Sequence, residues 1–113
     1  MYNGLGMNIG TLSRLSNAKS RSISAENKDG SVGGGARDDP FVCLTTGANA
    51  ARELGVGWKV SPSITVPVNT EITIADIEGP GAVQSMWFAG YVGHKLIFRI
   101  YWDGQENPSV ETP

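Results

Sequence analysis

Between Lys95 and Trp102 the apolar residues fall at every second position. Leu96, Phe98, Ile100 and Trp102 share one side of an extended chain, while Lys95, Arg99 and Tyr101 share the other. A helix cannot bury a set of residues with that period, so this stretch predicts a strand with one side in a core. The same spacing recurs upstream. Val60, Ile64 and Val66 lie on one side of a strand that Pro62 confines to an edge or interrupts with a bulge. Ile72 and Ile74 point the same way within Glu71 to Ile77, and Ala82, Met86 and Phe88 alternate with Val83, Ser85 and Trp87. Pro67-Val68-Asn69 and Glu78-Gly79-Pro80-Gly81 separate these runs as turn and breaker clusters. Asp103-Gly104 follows the last run and is a favoured two-residue hairpin turn, because both central positions take positive φ. Strands at this spacing, with almost no helix between them, predict an all-β fold, an antiparallel sandwich or jelly roll rather than a βαβ sheet. The return path from Pro108-Ser109-Val110-Glu111 stops at Pro113, so the expectation is the front part of a larger β-protein.

The amino-terminal half is different. Ile9, Leu12 and Leu15 recur every third residue and predict a short helix over 8–18 with Asn8 as its cap. Lys19 to Asn27 is polar and rich in side-chain hydroxyls, and Asp29-Gly30-Ser31-Val32-Gly33-Gly34-Gly35 has too much backbone freedom for a regular element. A second short helix is predicted over 48–54, entered through Thr45 or Thr46 and closed by Gly55. The expected organisation is an irregular or short-helical arm over 1–57 and a partial first jelly-roll sheet over 58–113.

Charge and composition exclude several function classes. A formal net charge of -2, with no run of Lys or Arg, gives no attraction for phosphate backbones, so nucleic acid is not an expected partner. Cys43 is the only cysteine, which rules out an internal disulfide framework and reads as a lone buried thiol. The first residues lack the basic start and apolar stretch of a secretory signal, and no apolar run approaches the roughly 20 residues needed to cross a bilayer. A soluble, cytoplasmic chain without membrane contact is expected.

Few residues offer chemistry. The glycine-rich loop lacks the Gly-Lys-Ser/Thr ending that would hold phosphates and magnesium, and no strand precedes it. His94 has no second histidine, cysteine or carboxylate at ligand spacing, so neither a metal nor a cofactor is expected, and it reads as a turn residue. Carboxylates matter more, because splitting a sugar linkage commonly takes one to protonate the leaving oxygen and another to attack or to activate water. Glu26 lies in Arg21-Ser22-Ile23-Ser24-Ala25-Glu26-Asn27, a stretch whose donors and acceptors suit sugar hydroxyls and equally suit satisfying loop backbone. Asp76, Glu78 and Asp103 flank turns, where capping backbone N–H groups is the ordinary role. Trp58, Trp87 and Trp102 could each stack on a sugar ring or pack in a core; Trp102, in line with Leu96, Phe98 and Ile100, reads as core. The candidate ligand-binding set is Arg21, Ser22, Ser24, Glu26, Asn27 and Trp58.

Gly6-Met7-Asn8 followed by the run from Leu12-Ser13-Arg14-Leu15 to Ser24-Ala25-Glu26-Asn27 closely resembles the opening of glycoside hydrolase family 172, also catalogued as domain of unknown function 2961. Further blocks are similar to that family's motifs in order: Thr46-Gly47-Ala48-Asn49, Gly57-Trp58-Lys59-Val60, Asp76-Ile77-Glu78-Gly79-Pro80-Gly81, and Tyr101-Trp102-Asp103-Gly104 with Pro108-Ser109-Val110-Glu111. The resemblance implies a double jelly-roll enzyme, usually homo-oligomeric and several times longer than this chain. Such enzymes cleave or rearrange furanose linkages with retention: fructofuranosides, difructose anhydrides and D-arabinofuranosides. It also implies that the two catalytic glutamates follow Pro113, so no catalytic residue is assigned here and Glu26 is not their equivalent. The expectation is an amino-terminal fragment, inactive alone, with a carbohydrate as partner. The other reading is a non-catalytic carbohydrate-binding or oligomer-assembly jelly-roll module, since fold does not fix function.

Overall fold

The computed structural model describes Gly6, residues 8–90 and residues 95–113. The turn expected at His94 lies outside the described residues. The chain divides into two compact units, Met1–Pro80 and Gly81–Pro113.

In the first unit the predicted cap is present and the predicted first helix is not. Asn8 accepts the N–H of Gly10 at 2.8 Å, and the Thr11 hydroxyl accepts the N–H of Asn8 at 3.0 Å, closing a reciprocal capping box. The helix this box starts is a single 3-10 turn, Ile9–Thr11. Its apolar stripe has nothing to cover it: Ile9 is 90% and Leu15 93% exposed. Without burial a helix does not propagate past its nucleus.

The second predicted helix forms as α1, Thr46–Ala51. Thr45 caps it, its hydroxyl accepting the N–H of Ala48 at 3.0 Å. The chain then turns and leaves through Gly55 at φ +75°, the left-handed position foreseen for that glycine. Ala48 and Ala51 face inward and meet Val60, all three buried, with Cys43 packed at the side. Small side chains on α1 let its backbone approach Val60 closely. The Thr45 hydroxyl also donates to the Val60 carbonyl, tying both ends of the contact.

The second unit holds a two-stranded antiparallel sheet, β1 (Phe98–Ile100) with β2 (Val110–Thr112). Phe98 and Ile100 are half-buried and Arg99 is exposed, as the alternation predicts. Asp103 and Gly104 both take positive φ, +50° and +73°, and the N–H of Gln105 closes the turn on the Trp102 carbonyl at 3.0 Å. The ladder does not continue from this turn. Ile100 pairs with Val110, so Glu106-Asn107-Pro108 stands as extra chain on the return side, and Pro108 has no N–H to give a ladder. Arg99 opposes Glu111, and its Nε donates to that carboxylate at 2.7 Å. Phe88 packs edge-on against Phe98, with ring centroids 5.2 Å apart.

The strands expected over 60–66, 71–77 and 82–88 are not assigned in the structure, and the strand expected over 95–102 shortens to β1. Alternation sets which side of an extended chain is apolar, but a strand exists only where a neighbour takes its N–H and C=O groups. Among the described residues these segments have no ladder partner, and Ile64, Ile72, Ile74 and Trp87 stay open to solvent. Trp102, which the alternation puts in the core, is open as well.

Candidate functional site

The polar stretch before the glycine-rich loop folds on itself. Ser24 and Asn27 exchange backbone hydrogen bonds, Ser24 N–H to Asn27 O at 3.0 Å and Asn27 N–H to Ser24 O at 3.1 Å. Ala25 and Glu26 therefore form the tip of a tight turn. Asn27 organises the loop after this turn. Its Nδ2 donates to the carbonyls of Ser22 at 3.2 Å and Ser31 at 3.0 Å, and its Oδ1 accepts the Ser31 hydroxyl at 3.2 Å. Gly34 fits against this pair: a Cβ there would stand 2.4 Å from both Asn27 Oδ1 and Ser31 Oγ. Only a residue without a side chain lets the loop close over the Asn27 amide.

Two clefts share this wall. The larger, about 670 Å³, includes Glu26, Asn27, Lys28, Asp29, Ser31 and Arg37 in its lining. The smaller, about 370 Å³, is lined by Arg21, Ser22, Ser24, Asn27 and the glycines of the loop. Five of the six candidate residues are thus brought together around Asn27. Trp58 is 52% exposed and lines neither cleft.

Glu26 reaches away from the loop. Its Oε1 accepts the N–H groups of Val60 at 2.8 Å and Ser61 at 2.7 Å, two charge-assisted bonds spanning 34 and 35 residues. Satisfying backbone, one of the two roles open to Glu26, is therefore realised. Asn27 is likewise committed, with both its amide nitrogen and its oxygen engaged by the loop.

Lys28, Ser31 and Arg37 line the larger cleft without standing in the candidate set, and so does Asp29, the first residue of the glycine-rich loop. Asp29 Oδ1 accepts the Ser31 N–H at 3.0 Å, and this bond, helped by the Ser31 side chain, holds the carboxyl below its usual range. The exposed carboxylate is ionised at neutral pH and suits accepting hydroxyl groups. Arg37 Nε donates to the Gly33 carbonyl, which aims the guanidinium along the loop. The signal that could have found this pair is an acidic and a basic residue flanking the glycine run at Asp29 and Arg37.

No group of three or more metal-ligating side chains occurs among the described residues, and no described helix is long and apolar enough to cross a membrane. The clefts lie before residue 57, while the Glu26 contact reaches Val60 and Ser61 beyond it. Residues 57–113 match the family model described as GH172 first beta-sandwich domain. No curated protein and no solved structure matches the chain.

Proposed function

Because the chain belongs to glycoside hydrolase family 172, we propose that it supplies the first sandwich of a retaining glycoside hydrolase acting on furanose sugars, namely fructofuranosides, difructose anhydrides or D-arabinofuranosides. The family match over residues 57–113 carries this reading. The sandwich is the first of a double jelly roll, preceded by an arm over 1–57, and the working enzyme is a cytoplasmic homo-oligomer. Arg21, Ser22, Ser24 and Asn27 form the sugar-binding side, Glu26 holds the turn that carries them, and Trp58 is a stacking platform. The clustering of the first five around two clefts supports this assignment.

The reactive glutamates belong to the part of the enzyme that follows the first sandwich, and the chain alone does not turn over substrate. A general acid must carry a proton at working pH, whereas Asp29 is held ionised by Ser31. The polar lining of both clefts, with Glu26 committed to backbone amides, fits a second reading, a non-catalytic carbohydrate-binding or assembly module.

A domain exchange separates the two. Residues 1–113 are grafted in place of the matching portion of a complete family member and assayed with both anomers of 4-nitrophenyl D-arabinofuranoside. The enzyme reading predicts nitrophenol release by the chimera and none by the chain alone. A soluble chimera that binds the sugar without turnover supports the module, and turnover by the isolated chain would place the reactive acids within it.

A further inference from the structure

Resting on the furanoside reading above, we infer that Glu26 is a positioning residue of the sugar site: it holds the turn that builds both clefts and does not recognise the sugar through its charge. Glu26 stands at the tip of the Ser24–Asn27 turn and is half-buried. A single oxygen, Oε1, takes two consecutive amides, Val60 at 2.8 Å and Ser61 at 2.7 Å. Val60 is fully buried, and its carbonyl is already held by the Thr45 hydroxyl. With Glu26 in place the Val60 N–H is shielded from solvent and donates to Oε1, and losing the bond of a buried amide is costly.

The consequence runs through the chain. Asn27 follows Glu26 directly and fixes Ser22 and Ser31 on either side of the shared wall. Moving the turn tip moves the residue on which both clefts depend. Glu26 thereby joins the loop that meets the ligand to the first residues of the sandwich domain.

The test uses the full 113-residue chain with Glu26→Gln and Glu26→Ala. Gln keeps an oxygen that can accept both amides but removes the charge; Ala removes both. Hydrogen exchange at the Val60 and Ser61 amides is read beside NMR titration with methyl β-D-fructofuranoside and methyl α-D-arabinofuranoside. For Glu26→Gln, both amides stay protected and sugar affinity stays within about threefold. For Glu26→Ala, exchange at both amides rises by roughly tenfold or more and affinity falls about tenfold, the scale of one lost charge-assisted bond. Loss of affinity in Glu26→Gln with both amides still protected would make Glu26 a direct ligand and overturn the inference. Unchanged protection in Glu26→Ala would overturn it too. If the unaltered chain binds neither sugar, the furanoside reading fails. The positioning role is then decided by the Asn27 side-chain amide resonances, which must shift in Glu26→Ala and hold in Glu26→Gln.

Discussion

A Cβ on Gly47 would stand 2.7 Å from the carbonyl oxygen of Val60 and 3.1 Å from its carbonyl carbon, so α1 packs backbone to backbone on the start of the family domain. Neither atom belongs to a side chain that could swing aside. Gly47→Ala gains about 1 kcal/mol of helix propensity at most and loses about 1–3 kcal/mol to the forced displacement. The expected net result is a lower urea midpoint. Gly35 meets nothing within 4 Å, and Gly35→Ala is expected to leave stability within about 0.5 kcal/mol.

How much of this is legible in the sequence depends on how far apart the partners are. The Thr45 cap, Gly55 and the Asp103-Gly104 turn are visible because each acts on neighbours within a few residues. The alternation around β1 gives its inward and outward sides correctly, since Phe98 and Ile100 are half-buried and Arg99 is exposed. The pairing of Ile100 with Val110 is not visible, because Glu106-Asn107-Pro108 displaces the return by a length that the turn does not encode. Stretches 60–66, 71–77 and 82–88 mislead for a related reason: period-two alternation describes a surface, and a ladder needs a second chain segment. At the candidate site, the polar run 21–27 marks the right place, but the role of Glu26 depends on amides 34 and 35 residues away. No local pattern announces that.

Gly34→Ala tests the shared wall of the clefts. Its Cβ would overlap Asn27 Oδ1 and Ser31 Oγ at 2.4 Å, which forces the Asn27–Ser31 bond open. Losing that bond is expected to weaken furanoside binding by about tenfold, with a stability loss of about 1 kcal/mol. Isothermal titration and urea unfolding of the same variant read the two effects.

Asp29 gives the loop a pH dependence at the acid end. Its carboxyl is depressed because the Ser31 N–H, and secondarily the Ser31 side chain, favour the ionised form. A depressed folded value means that the contribution to stability is fully present above the unfolded value, about 3.9. It is lost as pH falls through the lower folded value. Carboxyl ¹³C titration is expected to place the Asp29 midpoint below 3.8, its ordinary value. The Ser31 amide resonance should move with the same midpoint. Between about pH 5 and 8 the loop is expected to be insensitive to Asp29 titration.

The cross-strand pair of Arg99 and Glu111 is close, at 2.7 Å, yet both side chains are well exposed, 35% and 54%. Solvent screening limits such a pair. Glu111→Gln is expected to cost less than about 1 kcal/mol, and the difference should shrink further in about 1 M salt. A larger, salt-independent loss would show that the pair fixes the register of β1 and β2.

Whether the 21–37 loop is a furanose site is decided by parallel NMR titrations of the 113-residue chain with methyl β-D-fructofuranoside and methyl α-D-glucopyranoside. Saturable shifts are expected at Ser22, Ser24 and Asn27 with the furanoside, and none of comparable size with the pyranoside. Equal shifts with both sugars, or furanoside shifts confined to residues outside 21–37, would contradict a furanose-selective site there.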